Sequence, residues 1–146
     1  MVEPHREQAM ADVTGTAARV REMLDSSPWE YSVDEDDPNT FTLQFETTVR
    51  EQLVVSVIVT DEWVVMSHIF GRNPTENEAA MHRRLLELNW VLNSCKFAVD
   101  EEGDVILLDE QLASDLDQAE LIASIEAIAV ASEDYYDEMS RLGLRA

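Results

Sequence analysis

The stretch LNWVLNSCKFAVDEEGDVILL, residues 88–108, reads as the last turns of an amphipathic helix running directly into a tight two-stranded hairpin. Upstream, Met81, Leu85, Leu88 and Leu92 recur at helical spacing and form one buried stripe, with Leu86 alongside it and Arg83, Arg84 and Glu87 on other faces. Pro74 suits a first helical position and Thr75 stands three residues before Glu78, so this second helix is predicted to open near residues 73–75. Inside the stretch, Phe97 and Val99 lead into an acidic turn at residues 100–104, centred on Gly103, and Val105 to Leu108 complete the hairpin. Downstream, Asp117 and Glu120 repeat the capping-box spacing. Leu121, Ile122, Ile125, Ile128, Ala129, Ser132, Tyr136 and Met139 then run down a third helix that Gly143 ends.

The segments before residue 72 supply the rest of the sheet. QLVVSVIVT and EWVVMSHIF, either side of Asp61, are apolar on both faces. If Asp61 and Glu62 form a two-residue turn, Val59 stands opposite Val64 and Ser56 opposite Ser67; a slip of one residue would set each serine among apolar neighbours. One face then carries Leu53, Val55, Val57, Val59, Val64, Met66, His68 and Phe70, and the other carries Val54, Ser56, Ile58, Trp63, Val65, Ser67 and Ile69. Phe41, Leu43 and Phe45 alternate with Thr42, Gln44 and Glu46 as a half-buried strand, and Trp29, Tyr31 and Val33 alternate likewise. The run DEDDPN between them, residues 34–39, lacks the ligand register of a calcium loop and reads as a solvated turn. A first helix over residues 12–24 presents Val13, Ala17, Val20 and Leu24; residues 1–9 are polar and predicted to fray.

The order α-β-β-β-β-α-β-β-α predicts an α+β, two-layer domain over residues 10–146, an antiparallel sheet with helices packed mainly on one side. Its 146 residues support one sizeable core. A net charge of −21, from 31 acidic and 10 basic residues, argues against direct contact with nucleic acid or an anionic membrane and favours a basic protein partner. Cys95, the single cysteine, excludes an internal disulfide, suits a reducing cytoplasm and is read as a small core residue. No signal-peptide pattern or membrane-length apolar run is present.

No catalytic constellation emerges. His5, His68 and His82 share no metal-ligand spacing, and His68 reads as a satisfied core or interface histidine. The four glycines are too dispersed for a phosphate loop, and the acidic turn at residues 100–104 places its glycine too early for a calcium loop. We therefore expect no enzyme activity, cofactor or metal. The informative feature is the second face of the central strands: Val54, Ile58, Trp63, Val65 and Ile69 lie beside a strand offering that face only Thr42, Gln44 and Glu46. Burying one such side chain contributes about 1.5 to 3 kcal/mol, so something should cover them: the first helix, a second subunit or a partner protein.

The helix ending in Leu88 and Asn89, the following FAVDEEGDVILL, and a closing helix reading LIASIEAIAVASEDYYDEM together resemble the YbjN family, whose fold is similar to that of type III secretion chaperones. The resemblance implies a small, usually dimeric, acidic α+β protein that binds another protein as such chaperones hold a client segment in extended form. It carries over no catalytic residue; Asn89 alone is carried over, as a structural residue joining helix to hairpin. The expectation is thus a homodimeric, chaperone-like or regulatory protein-binding module with an interface on Val54, Ile58, Trp63, Val65 and Ile69. An acidic decoy that mimics nucleic acid is the alternative, and a carboxylate enzyme a third.

Overall fold

The computed structural model describes residues 3–146, with side chains from residue 13 onward. Its elements are α1 (Glu3–Asp25), β1 (Tyr31–Val33), β2 (Thr40–Phe45), β3 (Leu53–Val59), β4 (Trp63–Arg72), α2 (Glu78–Val91), β5 (Lys96–Val99), β6 (Asp104–Leu112) and α3 (Gln118–Arg141). This is the expected order. The helical backbone of α1 begins well before residue 12, whereas residues 1 and 2 of the terminus expected to fray lie outside the described residues.

The six strands form one antiparallel sheet in the order β1-β2-β3-β4-β6-β5. The β3–β4 hairpin adopts the predicted register, with Val59 opposite Val64 and Ser56 opposite Ser67. All three helices back the same face. Val20 and Leu24 of α1, Met81 and Leu88 of α2, and Leu121, Ile125 and Ile128 of α3 join Phe41, Leu43, Val55, Met66, Phe70 and Leu107 in one core. Burial of side chains of this size contributes about 1.5 to 3 kcal/mol each. Because α1 lies in this layer, its described residues do not cover the opposite face. No helix among the described residues is long and apolar enough to cross a membrane.

Both ends of α3 follow their sequence signals. The Asp117 carboxylate accepts from the Glu120 N–H at 2.8 Å and the Glu120 side chain accepts from the Asp117 N–H, the reciprocal capping box. At the other end Gly143 has φ 105°, a conformation that suits glycine, and the Leu144 N–H donates back to the Met139 carbonyl.

The start of α2 departs from expectation. The helix opens at Glu78 rather than near residues 73–75, its N-cap Asn77 is left-handed at φ 61°, and no side chain caps it. The cause is Asn73, which is buried and held from three sides. Its N–H donates to the Gly103 carbonyl, its own carbonyl accepts from Arg145 Nε, and its Oδ1 accepts from His82 Nε2. These bonds hold the chain away from a helical start at Pro74, and His82 is half-buried among them. Leu86 also differs: it is 70% exposed, outside the buried stripe.

Strand β6 runs four residues beyond Leu108 because β4 offers it a partner along its whole length, out to Trp63 opposite Leu112. The β4–β6 register shifts between Ile69 and Gly71. Gly71 then passes so close to the C-terminal segment that a Cβ there would stand 2.7 Å from Leu144 Cγ. At the outer edge, the side-chain amide of Asn89 donates to the Phe97 carbonyl at 3.0 Å and accepts from the Phe97 N–H at 2.8 Å. Asn89 therefore occupies the hydrogen-bonding position of a further strand and ties α2 to the hairpin.

Candidate functional site

The face of the sheet opposite the helices carries the five residues singled out in the sequence, and it is only half-covered. Ile69 is 62% exposed, Trp63 38% and Val54 37%, while Ile58 and Val65 are half-buried. Period-two alternation forces this. With one face committed to the core, every intervening side chain must project to the other. Cross-strand pairing brings Ile58 against Val65 and Trp63 against Leu112, one apolar group; Ile69 stands against Ile106 at the far end, near Val54. Between the groups runs a polar row, Thr42, Ser56 and Ser67. The row ends on β6 at Leu108, opposite Ser67, so the five residues share a face that the serines interrupt only in part.

The Val54 end has a construction the sequence did not disclose. The β3–β4 ladder stops at Ser56–Ser67, and the His68 ring fills the opened rung. Its Nδ1–H donates to the Val54 carbonyl at 2.8 Å, while Nε2 accepts from Arg50 Nη1 at 2.7 Å and from Ser132 Oγ at 3.0 Å. Burial, the larger cause, and the neighbouring Arg50 charge lower its pKa to about 4 against the pull of the Val54 hydrogen bond, so the imidazole is neutral. Arg50, from the β2–β3 loop, also donates to the Phe70 carbonyl and lies over the Tyr136 ring, 4.2 Å from its centroid. Burial lowers the guanidinium's pKa from its ordinary value, partly offset by Tyr136. Sequence reading left His68 as a core or interface histidine, of which the structure gives the core, and it missed Arg50, whose chain neighbours show no periodicity. The signal was its position alone: a cation just before an apolar strand in an acidic chain.

A cavity of about 650 Å³ opens here on the exposed side of the sheet, lined by Arg50, Val54, Ile58, Ile69 and Ile106 with Ser56 and Ser67 between them. A second apolar surface lies on α2, where Trp90 is 90% exposed, Leu86 70% and Val91 60%. Leu86 and Trp90 are four residues apart and so share one helix face, a spacing that the stripe through Met81 and Leu85 obscured.

The other candidate groups are structural. Cys95 is buried, its Sγ–H meets the Ala127 carbonyl at 3.5 Å, and burial raises its pKa, so the thiol is a core side chain. Carboxylate oxygens of Asp100, Glu102 and Asp104 lie within 4.8 Å of one another, but Asp100 Oδ1 accepts from the Glu102 and Asp104 N–H groups as the closing bonds of the hairpin turn. Several cations are engaged within the fold. Lys96 donates to the Asn89 and Leu92 carbonyls at the end of α2, Arg19 to the Ala113 and Leu116 carbonyls, and Arg84 to both oxygens of Glu138.

A six-stranded antiparallel sheet backed on one side by three helices in this order is an α+β fold that solved protein–protein complexes also contain. The chain is similar to solved structures of the ExsC–ExsE complex (16% identity, TM-score 0.56, covering 86% of this chain and 93% of that one) and of the HopA1–SchA chaperone–effector complex (12%, 0.53, 88% and 97%). It is likewise similar to the ExoU–SpcU heterodimer from the type III secretion system of Pseudomonas aeruginosa (17%, 0.53, 72% and 86%). At these identities the likeness concerns the fold. Residues 16–141 match the model of the YbjN family, described as a putative bacterial sensory transduction regulator, and the chain belongs to that family. No curated protein matches it in sequence.

Proposed function

We propose that the protein is a non-enzymatic, cytoplasmic protein-binding module, chaperone-like or regulatory, that works as a homodimer with residues 10–146 as its single domain. Its interface is the open sheet face, through Val54, Ile58, Trp63, Val65 and Ile69. The observation that carries this is the one-sided layering: all three helices lie on the core face, while apolar residues of β3 and β4 project from the other, as much as 62% exposed at Ile69. Family membership and the likeness to chaperones held in complexes with protein partners support the same reading. The net charge of −21 favours a basic partner, drawn in from about a Debye length of 8 to 10 Å and held afterwards by apolar contact.

Ile58→Asp and Trp63→Glu test the assignment against Trp90→Glu. Both sheet variants are expected to fold and to lose dimer mass in sedimentation, or to lose capture of a partner that the wild type retains. Trp90→Glu is expected to keep both. If only Trp90→Glu yields monomers and the sheet variants bind fully, the open face is not the interface.

A further inference from the structure

Arg50 is a charge without a countercharge. Its contacts are a neutral imidazole, a hydroxyl, a backbone carbonyl and two aromatic rings. Among the described residues, no carboxylate oxygen lies within 4.0 Å of its nitrogens. The chain holds 31 acidic residues, and on α2 Arg83 meets Glu87 while Arg84 meets both Glu87 and Glu138. A half-buried guanidinium held by neutral groups has lost part of its hydration without regaining a Coulomb partner, so an anion arriving there would gain more than it would at an open surface. Arg50 is among the residues lining the cavity on the open face, together with Val54, Ile58, Ile69 and Ile106; Asp100 and the C-terminal Ala146 line it too, and the carboxylates of both lie beyond ion-pair distance of the guanidinium.

Resting on the proposed role of this face, we infer that the cavity receives an extended apolar segment of the partner protein that carries a carboxylate, and that Arg50 is the residue that reads it. The apolar lining takes alternate side chains of the segment, and the planar guanidinium fixes its register by charge-assisted hydrogen bonding. This is compatible with a partner that is basic overall. The summed acidic field acts before contact, whereas Arg50 acts only on what has entered the groove.

The probe is acetyl-Leu-Val-Leu-Val, prepared both as the free acid and as the terminal amide and titrated into the full chain. Calorimetry measures affinity, and amide chemical shifts on β3 and β4 report the place. The acid is expected to bind about tenfold more tightly than the amide. Arg50→Gln should remove that preference, and Arg50→Lys, which keeps the charge and guards against a merely misfolded loop, should retain part of it. Equal binding of acid and amide to the wild type would overturn the inference and leave the open face as a segment-binding surface. A preference that persists in Arg50→Gln would also overturn it. Failure of both peptides to bind would remove the groove as a segment-binding site and the inference with it.

Discussion

Helices α2 and α3 lie in the same layer, yet they are built to different rules. α3 is capped by side chains at its start, closed by Gly143 at its end, and turns Leu121, Ile125, Ile128 and Met139 into the core, with Ser132 bonded to His68. α2 begins at a left-handed Asn77 without a side-chain cap, buries only Met81, Leu85 and Leu88, and shows Leu86, Trp90 and Val91 to the outside. The difference separates two uses of apolar residues. α3 spends nearly all of its own on the fold, so its substitutions should be read as stability. α2 divides its residues between the core and the exterior, and substitutions at its outer ones should leave folding nearly unchanged.

Several variants can break or sharpen that contrast. Ile125→Ala, at a fully buried position of α3, should cost about 2 to 5 kcal/mol in urea unfolding; a loss below about 1 kcal/mol would show that α3 is not the helix that anchors the core. The burial of His68 beneath α3 should appear as pH dependence. The imidazole titrates near 6.5 when unfolded and near 4 when folded, so between those values the unfolded chain binds the proton and the folded chain does not. The contribution is complete above pH 6.5 and is lost as pH falls toward 4, up to on the order of 3 kcal/mol. Unfolding measured from pH 7 to 5 should show the slope in the wild type and not in His68→Gln.

Smaller effects follow at the helix starts. Asp117→Ala should cost about 1 kcal/mol, whereas Thr75→Ala should be close to neutral because no cap forms there; equal losses would erase the distinction between the two helices. Trp90→Glu should alter stability by no more than about 0.5 kcal/mol when compared at one protein concentration.

The same contrast explains what could be read from the sequence. α3 was legible from its capping box through its stripe to Gly143 because every signal there is local. The β3–β4 register was legible because Ser56 and Ser67 permit one alignment of two otherwise uniform strands. The start of α2 was not, since Asn73 is held by Gly103, Arg145 and His82, partners that only the folded chain assembles. That Val54, Ile58, Trp63, Val65 and Ile69 share one face was legible from alternation, yet the serines that interrupt it and the placement of Arg50 depend on where the ladder stops. That stopping point reflects His68 competing for the Val54 carbonyl, a contest between side chain and backbone that pattern alone does not record.

The amide of Asn89 on Phe97 has a consequence for growth. Open sheets recruit like sheets, because each added strand presents a fresh edge to the next copy. Here the β5 margin is stoppered by its own helix, leaving β1, three residues long, as the other margin. A molecule with one usable margin can be joined once and then stops. Fibrillar stacking is closed to it while α2 stays docked, and a chain that displays apolar strands on its outer surface can remain a discrete particle.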